Sequence, residues 1–318
     1  MAAGRPDRSG AFRRARRPAG PARAGHPGPA GDGVTGEIEV LRAGALTTVQ
    51  DLGRPGWAHL GVPRSGALDL AALRLANRLV GNPERAAGLE ITLTGCELRL
   101  TRATTVAVTG AEVPVTAGAR PGDTGRPLTV PAGTVLRIGP ARHGVRSWLA
   151  VAGGIDVPPV LGSRATDTLS GLGPPPLRDG DRLPLGAPLG GPAPVDLTVP
   201  ERPAAELHLT LLAGPREDWF TPTALDRLLG TAYTVSPVSN RVGARLAGAA
   251  LPRAVAGELP SEGIVLGAVQ VPADGQPLIF LADHPTTGGY PVVGVVADVT
   301  PLAQARPGTT VRFHGPQR

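Results

Sequence analysis

The chain has 318 residues, 41% of them hydrophobic and only 3% aromatic, with 45 glycines and 36 prolines. It is long enough for two domains, must build its core from Val, Leu and Ala, and with so many turn formers favours a β-dominated fold. The net charge of +6 argues little for nucleic acid: residues 1–36 hold seven Arg and two Asp, a surplus of +5, which leaves the rest nearly neutral at +1.

All 32 basic residues are Arg. Without lysine the chain has no P-loop, no Schiff-base amine, no Ser-x-x-Lys nucleophile and no biotin attachment point. The single cysteine, Cys96, rules out an internal disulfide and reads as a small buried hydrophobe. The six histidines never fall at His-x-His or His-x3-His spacing, so no metal site is expected. No apolar run reaches membrane-spanning length, and no apolar segment follows Arg13-Arg14 and Arg16-Arg17. The expectation is a cytoplasmic protein that binds neither membrane nor nucleic acid.

In chain order, residues 1–36 are a basic Arg/Ala/Gly/Pro tail, expected to be disordered. Residues 37–41 alternate as a first strand. Residues 47–63 then read as a glycine-punctuated loop carrying Gln50, Asp51, Arg54 and His59; it is a site candidate, or a connector in which Asp51 and Arg54 pair. Residues 65–81 predict a helix, with Ser65 as N-cap, Asp69 in the positive first turn and Gly81 beyond the end. Asp69 is either a helix-dipole partner or a catalytic acid or base. Residues 90–100, 105–108, 113–116, 129–138 and 147–151 are strand-like.

Residues 173–205, rich in Pro and Gly with one short strand at 182–185, mark the best boundary, giving lobes over 37–190 and 206–316. The second half opens with a strand at 207–213, then a short helix capped by Thr221 and ended by Gly230. Arg241 and Arg245 follow. Residues 258–294 hold the richest chemistry: a hairpin with its turn at 273–275, bracketed by Ser261, Glu262 and Gln270 and by Asp283, His284, Thr286 and Thr287. Gly288 and Gly289, beside two hydroxyls and the Tyr290 phenol, would let backbone N–H groups approach a ligand, although a plain glycine turn has the same composition. Residues 153–162 echo 288–294, and 131–139 echo 307–315, as two related lobes would.

Nine motifs in order carry a family resemblance: Val49-Gln-Asp-Leu-Gly-Arg-Pro-Gly56, Gly61-Val-Pro-Arg-Ser-Gly-Ala-Leu-Asp69, Asn77-Arg-Leu-Val-Gly-Asn82, Gly153-Gly-Ile155, Gly162-Ser-Arg-Ala-Thr166, Asn240-Arg-Val-Gly-Ala-Arg-Leu246, Ser261-Glu-Gly263, Gln270-Val-Pro272 and Thr286-Thr-Gly-Gly-Tyr-Pro291. Together, over residues 37–315, they resemble the allophanate hydrolase subunit 2 family. This is also called the biotin-dependent carboxyltransferase domain family and includes the C subunit of 5-oxoprolinase, the member the chain fits best. Many relatives have Gln where Pro285 stands, with His284 as a substitute donor. The resemblance implies a mainly β fold of two cyclophilin-like β-barrel lobes with a few short helices. It also implies a multi-subunit enzyme that opens 5-oxoproline with ATP, alongside subunits A and B.

For that chemistry, Glu262 or Asp69 is the candidate base, with Thr287 and Tyr290 as further catalytic groups. Arg241 and Arg245 suit a carboxylate or phosphate. Gln50, Arg54, His59, Ser261, Gln270, Thr286, Gly288 and Gly289 would bind a small amide substrate, the 286–289 backbone offering N–H donors to developing negative charge. ATP would be shared with the complex, since this chain has no P-loop. Two other readings stay open. One is carboxyl transfer from biotin, carried by another chain, to urea or a similar amide; the other is a non-catalytic subunit that binds a regulatory partner. The pocket is expected to draw on both halves, with 286–290 facing 50–59.

Overall fold

The computed structural model describes residues 36–191 and 202–316. The expected basic tail lies outside the described residues except for Gly36, as does part of the Pro/Gly-rich boundary.

The protein is mainly β, with two α-helices, α1 (Leu70–Leu79) and α2 (Ala224–Gly230), among the described residues. The first half folds as two sheets. One has six strands in the order Arg182–Leu185, Gly36–Arg42, Cys96–Leu100, Val135–Ile138, Val115–Ala117, Arg120–Gly122. The other has five: Leu46–Gln50, Gly88–Thr92, His143–Val151, Thr104–Glu112, Pro127–Val130. Alternating side chains from both enclose a core of Ile38, Val40, Leu89, Ile91, Leu98, Leu100, Val106, Leu136 and Leu149.

In the second half seven strands close a barrel, in the order Glu206–Ala213, Val292–Val296, Ala268–Gln270, Leu278–Phe280, Gly243–Ala247, Ala232–Val235, Thr310–His314. Closure is by parallel pairing of the first and last strands, Leu207 opposite Val311. The closed ladder leaves no free edge. The barrel core of Leu209, Tyr233, Val269, Ile279 and Phe313 is continuous with Leu68, Ala72 and Leu73 from the start of α1 and with Trp148, so α1 belongs to both halves.

Several sequence expectations change. The strand at 90–100 is two strands, broken where Leu93 (φ 55°) and Gly95 (φ 72°) turn the chain. Residues 46–50, read as the start of a loop, are a strand whose Thr47, Thr48 and Gln50 are buried. Helix α1 starts at Leu70 and not at Ser65: Ser65 sits at φ 51°, incompatible with an N-cap, and Asp69 caps instead, accepting from the Ala72 N–H at 2.9 Å. Thr223 stands at the N-cap of α2, and its side chain makes no capping bond. The predicted hairpin forms with Gln270 opposite Leu278, but its first strand is only Ala268–Gln270; Val265 and Leu266 are exposed. In the echo around 131 and 307 each segment turns at a positive-φ glycine ahead of a strand, Gly133 and Gly308, but the two glycines are one position out of register. The other echo is compositional: Gly153 and Gly154 have positive φ, and Gly288 and Gly289 do not.

The halves are joined by a buried ionic network. Arg241, 1% exposed, donates through Nε and Nη2 to both oxygens of Asp283, each at 2.9 Å. Its Nη1 reaches Glu90 on the five-stranded sheet at 2.6 Å, and its Nη2 also donates to the Gly66 carbonyl at 2.7 Å. Arg146 adds a second cation, 3.5 Å from Glu90 and hydrogen-bonded to the Ala303 carbonyl. Two buried anions face two buried cations, so the cluster is neutral.

Burial alone would push the Asp283 carboxyl up, but the Arg241 charge and the bonds from Arg241, Ser65 and Thr168 outweigh it and hold it below the usual carboxylate range. Arg241 is likewise held more firmly protonated by Glu90 and Asp283 against the cost of burial. Among the described residues no helix is long and apolar enough to cross a membrane.

Arg241→Met leaves two carboxylates buried without their main partner and is expected to lower the urea-unfolding free energy by about 3–5 kcal/mol. Because the folded Asp283 carboxyl titrates below its unfolded value, its contribution is present above about pH 4 and is lost as pH falls through the lower folded value. The urea midpoint should therefore fall as the pH is taken from about 5 to about 3, and fall less in Asp283→Asn. The fully buried Cys96 thiol is pushed up to about 12 by desolvation. A thiol reagent at about pH 8 should find no reactive thiol in the native protein and one after denaturation.

Candidate functional site

The loop ahead of α1 is shaped by Asp51. Its Oδ1 accepts from the Gly53 N–H at 2.8 Å and the Ser163 hydroxyl at 2.6 Å, and its Oδ2 from the Arg164 N–H at 2.6 Å. This pins residues 51–54 to 163–165. Asp51 and Arg54 therefore bind different partners, and Arg54 turns inward to the Ala165 carbonyl. At the far end of the loop the Ser65 hydroxyl donates to Asp283 at 2.6 Å, and the hydroxyl and N–H of Thr168 donate to the other Asp283 oxygen. Asp283 thus gathers the two first-half loops and the barrel at one point.

Above that point lies a cavity of about 350 Å³ between the halves. Arg64, Leu68 and Arg74 line one wall; Leu266, His284 and Asp298 line the other. Arg64 is exposed at the rim, and Arg74 leans on Glu84 at 3.6 Å. Asp298 turns its carboxylate to the Thr300 N–H. His284 is 8% exposed, and its Nδ1 lies 2.7 Å from the Pro285 carbonyl. The walls are largely apolar, with two guanidiniums, one imidazole and one carboxylate, a lining with a surplus of positive charge that suits a small anion.

The residues singled out from sequence fall into three groups. Gln50, Arg54 and Arg241 are buried, and Arg54 keeps Nε and Nη1 without a hydrogen-bond partner. Gln50 bonds the Thr48 hydroxyl and the Thr166 carbonyl, both at 3.0 Å. Arg241 is a correction to the ligand-binding expectation: every nitrogen of its guanidinium is engaged inside the core, leaving none to reach a substrate. Arg245 is also displaced from a pocket, exposed on the strand Gly243–Ala247.

The second group surrounds a pair of two-residue strands, Glu262 opposite Gly288 and Gly263 opposite Thr287. Both Glu262 oxygens are bonded by Arg216, which holds the carboxyl below its ordinary range. A carboxylate so paired is a weak proton acceptor. The Gln270 amide donates to the Tyr290 carbonyl at 3.1 Å and crowds Gly288, where a Cβ would lie 2.7 Å from it. A larger residue there would have to push the Gln270 amide off the Tyr290 carbonyl. A Cβ on Gly289 would meet the Leu259 carbonyl at 3.2 Å. The neighbouring Glu258 carboxylate pushes the Tyr290 phenol up. Thr287 and Ser261 are exposed.

In the third group, Thr286 sits 3.9 Å from where a Cβ on Gly61 would stand, so the 286–290 segment meets the first half just beyond His59, while Gln50 is buried. His59 is exposed and stacks on Trp57. Asp69 caps α1 and borders a second cleft of about 820 Å³ with Arg78, Thr109 and Gln304; burial pushes its carboxyl up. Sequence reading missed Arg64, Arg74, Glu90 and Asp298. It noted Asp283 and His284 only as polar ends of the hairpin.

A model of the carboxyltransferase domain, subdomains A and B, matches residues 60–315. The chain is 40% identical over 291 residues to the C subunit of 5-oxoprolinase from Escherichia coli, covering 87% of this chain and 90% of that protein. It is 33% identical to the Haemophilus influenzae protein of the same name, again over 90% of its length. The crystal structure of the Kluyveromyces lactis urea amidolyase superposes with a TM-score of 0.81 at 32% identity, covering 88% of this chain but 19% of that much longer one. With the match spanning both halves and the seam between them, the chain belongs to the carboxyltransferase-domain family of subdomains A and B.

Proposed function

We propose that this chain is the C subunit of an ATP-dependent 5-oxoprolinase complex, in which subunits A and B join it to open the 5-oxoproline lactam to glutamate. The observation that carries the reading is the cavity between the halves: about 350 Å³, apolar walls, and Arg64 and Arg74 at its border. 5-Oxoproline is a small, compact ring with one carboxylate, and such a pocket would enclose the ring while a guanidinium takes the carboxylate. The likeness to the 5-oxoprolinase C subunit over nine-tenths of the Escherichia coli protein supports it.

A lactam amide is resonance-stabilised, and ATP makes its carbonyl more electrophilic by phosphorylating the oxygen. This chain has neither P-loop nor lysine, so ATP is assigned to the complex and not to a nucleotide site of its own. The role left to this chain is to hold the substrate, exclude water from the ring and move protons at the amide.

The test is reconstitution with subunits A and B. Glutamate and ADP release that requires all three chains is expected, and no gain over A and B alone would overturn the reading. Arg74→Gln should raise KM for 5-oxoproline about 10-fold or more with kcat changed by no more than a few-fold, since a lost charge-assisted hydrogen bond to a bound carboxylate is worth roughly 1.5–3 kcal/mol. Carboxyl transfer from a biotinylated chain to urea, in place of glutamate release, would assign the other chemistry.

A further inference from the structure

We propose that His284 is the proton-transfer residue of the inter-half cavity, acting through Nε2. This rests on reading that cavity as the substrate pocket.

The backbone fixes the ring from behind. The Asp283 N–H donates to the Arg241 carbonyl at 3.0 Å and the His284 N–H to the Leu281 carbonyl at 3.1 Å, while the Asp283 side chain is held by Arg241, Ser65 and Thr168. Phe280 packs against the imidazole with ring centroids 6.3 Å apart. The ring is nine-tenths buried and forms part of the cavity wall. Its Nδ1 faces the Pro285 carbonyl at 2.7 Å, and a carbonyl only accepts, so the proton of the neutral ring sits on Nδ1. Nε2 is then a lone-pair acceptor, which is the form a general base needs.

The competing acids are otherwise engaged. Asp283 is enclosed beneath the site by Arg241, Ser65 and Thr168; Glu262 is paired with Arg216; Asp69 caps α1; and Asp298 accepts from Thr300. The charged groups that share the cavity wall with the imidazole are Arg64 from the loop, Arg74 from α1 and Asp298 from the segment after Val292–Val296. Guanidiniums do not exchange protons near neutral pH, and an exposed carboxylate such as Asp298 takes a proton there but weakly, so the imidazole is the wall group best suited both to take a proton and to give it back.

The step balances on this chain's own residue. Phosphorylation of the oxygen leaves the lactam with a C=N bond. Water adds to that carbon, and as the C–O bond forms one water proton passes to Nε2 and on to the ring nitrogen. The second proton of that water follows the same route as the C–N bond breaks, leaving the amine and an acyl phosphate. A second water releases phosphate and the carboxylate, and the imidazole ends in its starting state. Two arginines at the border match the substrate carboxylate, so the substrate class is a small lactam or cyclic amide bearing one carboxylate.

His284→Asn keeps an N–H donor near the Nδ1 position while removing Nε2. In the reconstituted complex it should lower kcat about 100-fold or more and leave KM within a few-fold, with the melting temperature unchanged. Histidine ¹⁵N spectra of the full chain supply the second measurement. They should show His284 with Nδ1 protonated and Nε2 bare, and the Nε2 signal should move when 5-oxoproline is added. Wild-type turnover matched by His284→Asn would overturn this inference alone, as would a neutral ring protonated at Nε2. Absence of turnover in the wild-type complex would instead overturn the functional reading, and the spectra then decide the proton's place without it.

Discussion

Four charges buried in the seam between the two halves set the structure's geometry. A guanidinium removed from water costs several kcal/mol unless each of its donors is met. Arg241 meets that demand with two oxygens of Asp283 from the barrel, one of Glu90 from the sheet, and the Gly66 carbonyl from the connecting loop. None of these partners is adjacent in sequence. The network is therefore satisfied only when barrel, sheet and loop have all arrived, which couples the folding of one half to the docking of the other. The requirement is also specific for arginine: a planar fork reaches three directions at once, and an ammonium on a flexible stem does not. A chain that uses arginine for all its basic residues is well supplied with such forks.

The same network explains the position of the cavity. Ser65 adopts a left-handed backbone conformation at φ 51°, and its hydroxyl donates to Asp283. That bend aims Arg64 outward and lets α1 begin only at Leu70, under the cap of Asp69. On the opposite wall, Asp283 is the residue immediately before His284, so whatever immobilises the carboxylate also immobilises the imidazole. A group that must present one nitrogen to a reacting atom gains from a support of this kind, because small misplacements of a catalytic group are costly.

The secondary structure was largely legible where alternation was uninterrupted: residues 37–41, 182–185, 207–213 and 292–296 all lie within observed strands. It failed where one polar residue served a distant partner. Thr47, Thr48 and Gln50 read as loop because they are polar, yet their strand is buried and their side chains bond neighbouring carbonyls and each other. Ser65 resembled an N-cap because serine is good at that task, but its hydroxyl is used 218 residues away. The charged candidates misled for a related reason. Arg241 and Glu262 carry the residue types of ligand contacts, and composition cannot tell a charge that meets a substrate from one that meets another charge. Burial and partner geometry decide it, and both are tertiary. At the glycine pair 288–289 the neighbours that come close are the Gln270 amide and the Leu259 carbonyl of this same chain.

These constraints also limit how the cavity works. Opening it by swinging the halves apart would pull Arg241 from Glu90 or Asp283 and expose a buried ion without its partner, at several kcal/mol per break. Such a motion would be rare at equilibrium. Access must therefore come through the rim, where Arg64, Ala297, Asp298 and Thr300 lie, while the floor at Ser65 and Asp283 stays fixed. A rigid floor with an adjustable rim suits a chain that works within a complex. Any closure over the substrate then falls to rim side chains and to whatever packs against them, and the two halves of this chain hold still between them.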